Sequence, residues 1–256
     1  MKPYAPKSIV IARHNGIGDI IMTFPFIKTY VAQGHDVTLE VAANNLDWIP
    51  WFFPDLKLLQ TPCAHELDYR KTLPGYDCLL NFNRLEMQDF AILTNYQHLM
   101  TVLAVAAGLP KPEQLSPCVK QYTGKRSGIL LFSNASHPSR WLSTATTDMI
   151  KHFTYAVDAP IYPTRLALIE AIYKAELVIG PDSGPIHIAE AVGTPWVCLH
   201  TTFTKDLRHL YYQYGRCVQS LNPPCYSHIC TTCHVDNRFH ETDVLMAIRL
   251  CSPSRM

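Results

Sequence analysis

Apolar positions fall into short blocks separated by polar turns. Ser8 to Ala12 is a β-branched apolar run, the pattern of a strand buried on both faces. Ile20 to Val31 carries apolar residues at near-helical spacing, with Gly34 as its stop. Val37 to Ala42 reads as a second strand, and Lys57 to Gln60 and Asp77 to Phe82 as a third and fourth. Met87 to Ala107 reads as a helix that ends at Gly108, before Pro110. Pro110 to Gly128, with Pro112, Pro117 and Gly124, reads as a linker. The pattern then restarts. Strands are expected at Gly128–Phe132, Leu177–Ile179 and Trp196–Leu199, and helices at Trp141–Phe153, Arg165–Ala175, Pro185–Val192 and Glu241–Leu250. Alternating strands and helices in both halves predict two parallel-sheet α/β units. The first spans residues 1–120. The second spans residues 121–256 and includes a Cys/His-rich segment and a terminal helix.

Composition narrows the class. The 256 residues are 48% hydrophobic, which excludes a disordered chain. Charged residues are 17%, and 22 basic residues face 21 acidic ones. A balance of +1 gives no electrostatic footprint for nucleic acid, although a nucleic-acid acceptor stays open. The longest greasy stretch, Leu99 to Leu109, is about half of the ~20 residues a membrane span needs. The expectation is a cytoplasmic protein with at most peripheral membrane contact. Nine cysteines there suggest thiols or a metal site rather than a disulfide scaffold.

Two glycine-marked turns carry the candidate chemistry. In Gly16-Ile17-Gly18-Asp19, Gly18 lets the backbone approach a ligand, and the helix start adds oriented N–H groups. Asp19 is either a helix cap or a base that takes a proton from a hydroxyl. His14 and Asn15 in the same turn are acceptor-side candidates or loop-satisfied residues, and Arg13 is a phosphate ligand or a carboxylate partner. In the second turn, Gly180 to His187, N–H groups at Ser183 and Gly184 can grip phosphate where the helix dipole favours anions. Asp182 suits sugar hydroxyls or a cap, and His187 is a phosphate donor or a core histidine.

Leu177 to Pro195 resembles the signature of glycosyltransferase family 9, the ADP-heptose:lipopolysaccharide heptosyltransferases and relatives. Ile9 to Arg13, Gly16 to Asp19 and Thr23 to Pro25 resemble the family's N-terminal signature. The resemblance implies a GT-B fold, with two Rossmann-like parallel-sheet domains facing a central cleft. It implies inverting, metal-independent transfer of a heptose-like sugar from a nucleoside diphosphate, ADP-heptose in the type members, to a saccharide or glycolipid hydroxyl in lipopolysaccharide biosynthesis. Carried over by position, Asp19 is the general base, and Arg140, just before Trp141, stabilises the leaving diphosphate. Ser183, Gly184 and His187 contact that diphosphate, and Asp182 lies near the sugar. The chain reads as a shortened member. Lys151 to Thr164 is too short for the usual strand, loop and helix that line the base, and the first unit is trimmed around 85–120.

Three features point elsewhere. Cys225, Cys230, Cys233 and His234 are either unliganded thiols or a structural zinc set, so a zinc-dependent interaction domain is a rival reading. A non-catalytic nucleotide-sugar or phosphate-binding module is another. Trp48, Trp51, Phe52 and Phe53, around Pro50 and Pro54, read as core packing or as an acceptor-facing platform.

Overall fold

The computed structural model describes residues 7–14, 16–62, 70–83, 100–101, 104, 108, 116–204, 209, 211–222 and 237–252. The chain divides into two compact units, residues 1–117 and 118–256.

The first unit is a four-stranded parallel sheet in the order β3-β2-β1-β4, from β1 (Ser8–Ala12), β2 (Asp36–Val41), β3 (Lys57–Gln60) and β4 (Cys78–Asn81). The central strand β1 is buried almost throughout, as its unbroken apolar run requires. The crossover from β1 to β2 is two helices, α1 (Ile17–Ile21) and α2 (Phe24–Ala32), where the spacing predicts one. Pro25 explains the break. It has no N–H to give to Ile21, so the first helix stops and the second starts with Pro in its first turn. A short helix, α3 (Ile49–Phe52), presses the aromatic group inward: Trp48 is fully buried, and Phe24 packs against Trp48, Phe52 and Phe53. Core packing is therefore its role. The helix expected at Met87–Ala107 lies mostly outside the described residues.

The second unit is a five-stranded parallel sheet in the order β6-β5-β7-β8-β9. Its strands are β5 (Ile129–Leu131), β6 (Val157–Asp158), β7 (Leu177–Pro181), β8 (Trp196–His200) and β9 (Gly215–Gln219). The helices are α4 (Thr144–Thr154), α5 (Arg165–Lys174), α6 (Gly184–Ala191) and α7 (Glu241–Cys251). Ser143 starts α4, its hydroxyl accepting the Thr146 N–H, so Trp141 and Leu142 stay outside the helix predicted over them. Helix α7 closes the core against β8 and β9, bringing Val244 and Ile248 onto Ile179, Val197 and Leu199. Residues 159–164 join β6 directly to α5.

The entry into this unit is fixed by Arg126. Its guanidinium donates to the carbonyls of Tyr173, Ala175, Val192 and Gly193 and to the Thr194 hydroxyl. Residues 118–128 of the stretch read as a linker thus belong to the second unit and are held there before β5 begins.

Candidate functional site

In open parallel sheets, ligands bind beyond the carboxyl ends of the strands. Both singled-out turns lie there, each in its own unit.

In the first unit, the backbone leaving β1 is held on all sides. Arg13 N–H donates to the Glu40 carbonyl at 3.0 Å, Ala42 N–H to the His14 carbonyl, and Asn45 Nδ2 to the same carbonyl at 2.9 Å. The His14 N–H donates to Asn83 Oδ1 at 2.9 Å. Gly16 then turns with φ +77°, and a Cβ there would overlap Asp19 Oδ2. Only glycine lets the carboxylate lie over that turn.

Gly16, not Asp19, caps α1; Asp19 sits in the helix's first turn. Its Oδ2 is 2.9 Å from Arg13 Nη2. Arg13 is 8% exposed and Asp19 30%, so the cation is sealed while the carboxylate remains reachable. Gly18 is the helix residue just before it. His14 is fully buried, with Nε2 3.2 Å from Glu40 Oε1. Asn15 lies outside the described residues.

Glu40 is a feature the sequence reading missed. It is a fully buried carboxylate on β2, shared by His14 and Arg70. Burial alone raises its pKa, but hydrogen bonds from His14, Arg70 and Thr61 outweigh that and hold it below the ordinary value. The only sequence signal was one acid inside Val37-Thr38-Leu39-Glu40-Val41. A carboxylate with a lowered folded-state pKa stabilises above its unfolded pKa, about 4.3, and that stability fades as pH falls through the lower folded value. Acid unfolding followed by circular dichroism is expected to be less steep in Glu40→Gln than in wild type. Glu40→Ala is expected to lower the melting temperature at neutral pH, because His14 and Arg70 lose the carboxylate they share.

In the second unit, β7 runs into the turn that starts α6. Gly180 packs closely: a Cβ would lie 3.0 Å from the Phe132 carbonyl oxygen, which would have to shift by a few tenths of an ångström. Ser183 occupies the position before α6 in extended backbone. Its hydroxyl donates to the Pro181 carbonyl, and no side chain caps the helix. Arg140, at the end of a short 3-10 turn, reaches this point: Nη1 donates to the Asp182 carbonyl at 2.8 Å, and Nη2 to the Ser136 hydroxyl. Its buried Nε has no hydrogen-bond partner among the described residues. Arg140 and the Ser183–Gly184 helix start are therefore together, a cation beside uncapped N–H groups.

The two other predicted residues of this turn face inward. Asp182 is 5% exposed, and its Oδ1 is 3.5 Å from both His187 Nε2 and His209 Nε2. His187 Nδ1 meets the Tyr212 hydroxyl, and its ring stacks on His209. His200, His209, Cys198 and Cys217 complete a polar cluster that the sequence reading did not assemble. Within it, hydrogen bonds from Cys198, His200 and His209 bring the Cys217 thiol down to about 3. The Cys198 thiol is pushed up by burial first, then by Cys217, and burial lowers His209. Cys225, Cys230, Cys233 and His234 lie outside the described residues.

Two parallel-sheet α/β units with polar groups gathered at their strand ends define the GT-B class of fold. Residues 118–237, nearly all of the second unit, match the family model of glycosyltransferase family 9 (heptosyltransferase). Solved structures with the same fold include the iron-containing dodecameric glycosyltransferase TibC of enterotoxigenic E. coli. It has TM-score 0.66 and 11% identity, over 99% of this chain and 78% of that one. A family 9 glycosyltransferase of Veillonella parvula matches at TM-score 0.63 and 13% identity, over 96% and 97%. E. coli heptosyltransferase WaaC with ADP matches at 0.61 and 12%, over 95% and 99%. At these identities the likeness is one of fold. No curated protein sequence matches. Among the described residues, no helix is long and apolar enough to cross a membrane.

Proposed function

We propose that the protein is an inverting glycosyltransferase. It moves a heptose-like sugar from a nucleoside diphosphate, ADP in the favoured case, to a saccharide or glycolipid hydroxyl. The second unit takes the donor and the first takes the acceptor. The observation that carries the reading is Arg140 on the Asp182 carbonyl, beside the uncapped start of α6. Negative charge grows on the diphosphate as the sugar leaves, and a preorganised cation with N–H donors lowers the energy of that state. The buried Nε of Arg140 is a further donor suited to a phosphate oxygen. Ser183 and Gly184 offer backbone N–H groups. Asp182 and His187 act by positioning, since each holds the other and the cluster behind the turn.

On the acceptor side, Asp19 takes the proton as the hydroxyl oxygen attacks the anomeric carbon from the face opposite the diphosphate. The C–O bond to the acceptor forms, the bond to the diphosphate breaks, and configuration inverts. No metal is called on for this step. His14 lies beneath the turn, on Glu40, and supports it.

The family match and the TibC, Veillonella and WaaC folds support the transferase reading. The short connection at residues 159–164 favours a shallower base site than a full helix would build. The test is thermal shift with ADP, other nucleoside diphosphates and their sugars. A ligand at 100 times its Kd is expected to stabilise the fold by about 2.7 kcal/mol. ADP should raise the melting temperature of wild type and fail to do so in Arg140→Ala. No shift with any nucleoside diphosphate overturns the donor assignment.

A further inference from the structure

The polar cluster behind the donor turn has the composition and placement of a metal site. Cys198 and His200 are two residues apart on β8, so both project from the same face of the sheet. Cys217 on β9 is the register partner of Cys198 and shares that face. His209, from the connection between β8 and β9, lies over them, its Nδ1 3.0 Å from His200 Nε2. The ligand atoms of Cys198, His200 and His209 all lie within 4.8 Å of one another. Cys217 enters the set through its register opposite Cys198. Cys198, His200 and His209 are buried, which keeps water from competing.

We propose that Cys198, His200, His209 and Cys217 form a tetrahedral transition-metal site for zinc or ferrous iron. Two sulfurs and two imidazoles are the donor set such ions take. Bonds of about 2.0–2.1 Å to each nitrogen would put the two ring nitrogens about 3.3 Å apart. The observed 3.0 Å needs only a few tenths of opening.

The surroundings separate this set from a second grouping, Asp182, His187 and His209, that also converges. His209 turns Nδ1 to the sulfur side and Nε2 to Asp182 Oδ1 at 3.5 Å. A metal-bound imidazole usually passes its other N–H to a carboxylate, which fixes the tautomer and the ring. Asp182 Oδ1 stands opposite that nitrogen at 3.5 Å and would take this part after a small approach. It is also the residue whose carbonyl receives Arg140. The metal would pin the β8–β9 connection and, through His209, the backbone of the donor turn. The site is separate from the Cys225–His234 set and uses none of its residues. Its sequence form, Cys198-x-His200-x8-His209-x7-Cys217, is spread over two strands and a connection.

The test is metal content and cobalt substitution of the full chain. Wild type is expected to hold or take up zinc or iron at this site. Its cobalt form should show a thiolate-to-cobalt charge-transfer band and the intense visible bands of tetrahedral coordination. Cys217→Ser and His200→Gln should lose that spectrum. Joint replacement of Cys225, Cys230 and Cys233 by Ser should leave it intact. Asp182→Asn should keep the spectrum with metal affinity weakened ~10–100-fold. A Cys198→Ser variant that misfolds leaves His200→Gln and Cys217→Ser, at the sheet's edge, to decide. Three results overturn the proposal: no uptake of zinc, iron or cobalt by wild type; an unchanged spectrum in Cys217→Ser and His200→Gln; or loss of the metal only with the Cys225 set.

Discussion

Asp19→Asn is expected to lower the turnover of sugar transfer by ~10²–10⁴, the usual contribution of a positioned general base. Binding of the nucleoside diphosphate should be unchanged, because Asp19 belongs to the acceptor-side unit. The ion pair with Arg13 shapes the expectation. Arg13 lies 2.9 Å from Oδ2 and is almost sealed from water, so it holds the carboxylate in one orientation. A proton taken up at Oδ1 leaves Oδ2 able to accept the Arg13 N–H as a hydrogen bond. Asn keeps the shape and removes the basicity, and it also removes the charge that faces Arg13. Its melting temperature must therefore be measured alongside. Arg13 is enclosed enough for that loss to show. Gly16→Ala supplies an independent check that removes no polar group. The new Cβ would overlap Oδ2 on a backbone with φ +77°, so the carboxylate must move. Misplacement of this kind costs on the order of 10²-fold. Single-turnover rates with saturating donor measure both effects. Near-normal transfer by a folded Asp19→Asn protein rejects the base assignment.

The two sheets and the two turns were legible because each rests on local pattern. β1 and β7 are unbroken apolar runs, and glycine followed by a helix start leaves a recognisable mark. Strand β9 was not legible. Its Gly-Arg-Cys-Val-Gln pattern is half exposed at a sheet edge, and only pairing with β8 makes it a strand. The two-residue β6 is too short to give any period. The buried partners were invisible for a different reason. Glu40 and His14 stand 26 residues apart, and Cys198 meets Cys217 through strand register. Local spacing predicts which residues share a helix or strand, but not which strands become neighbours. The inward turn of His187 belongs to the same class, since Tyr212 and His209, which hold its ring, arrive from a later segment. Arg140 was placed by resemblance, and its contact with Asp182 is tertiary.

Arg140→Ala is expected to reduce transfer by ~10²–10³, comparable with removal of an oxyanion-stabilising donor. The guanidinium is already held in place before a donor binds. One arm is spent on the Asp182 carbonyl and another on Ser136, which fixes the plane of the group across the start of α6. Nε is buried with no partner among the described residues. A buried donor left in that state costs free energy, and a phosphate oxygen placed there would satisfy it. Positioning and charge are therefore supplied by the same side chain. Arg140→Lys separates them. Lysine keeps the charge but is a flexible point donor without the planar fork. It can hold the Asp182 carbonyl or a phosphate oxygen, not both in one rigid plane. The expected order of turnover is wild type, then Arg140→Lys, then Arg140→Ala. Affinity for the nucleoside diphosphate should fall in the same order, and KM for the acceptor should stay constant. A KM change confined to the acceptor would place Arg140 on the wrong substrate. Equal activity of Arg140→Lys and wild type would show that charge alone suffices, and that the contact with Asp182 contributes nothing to the reaction.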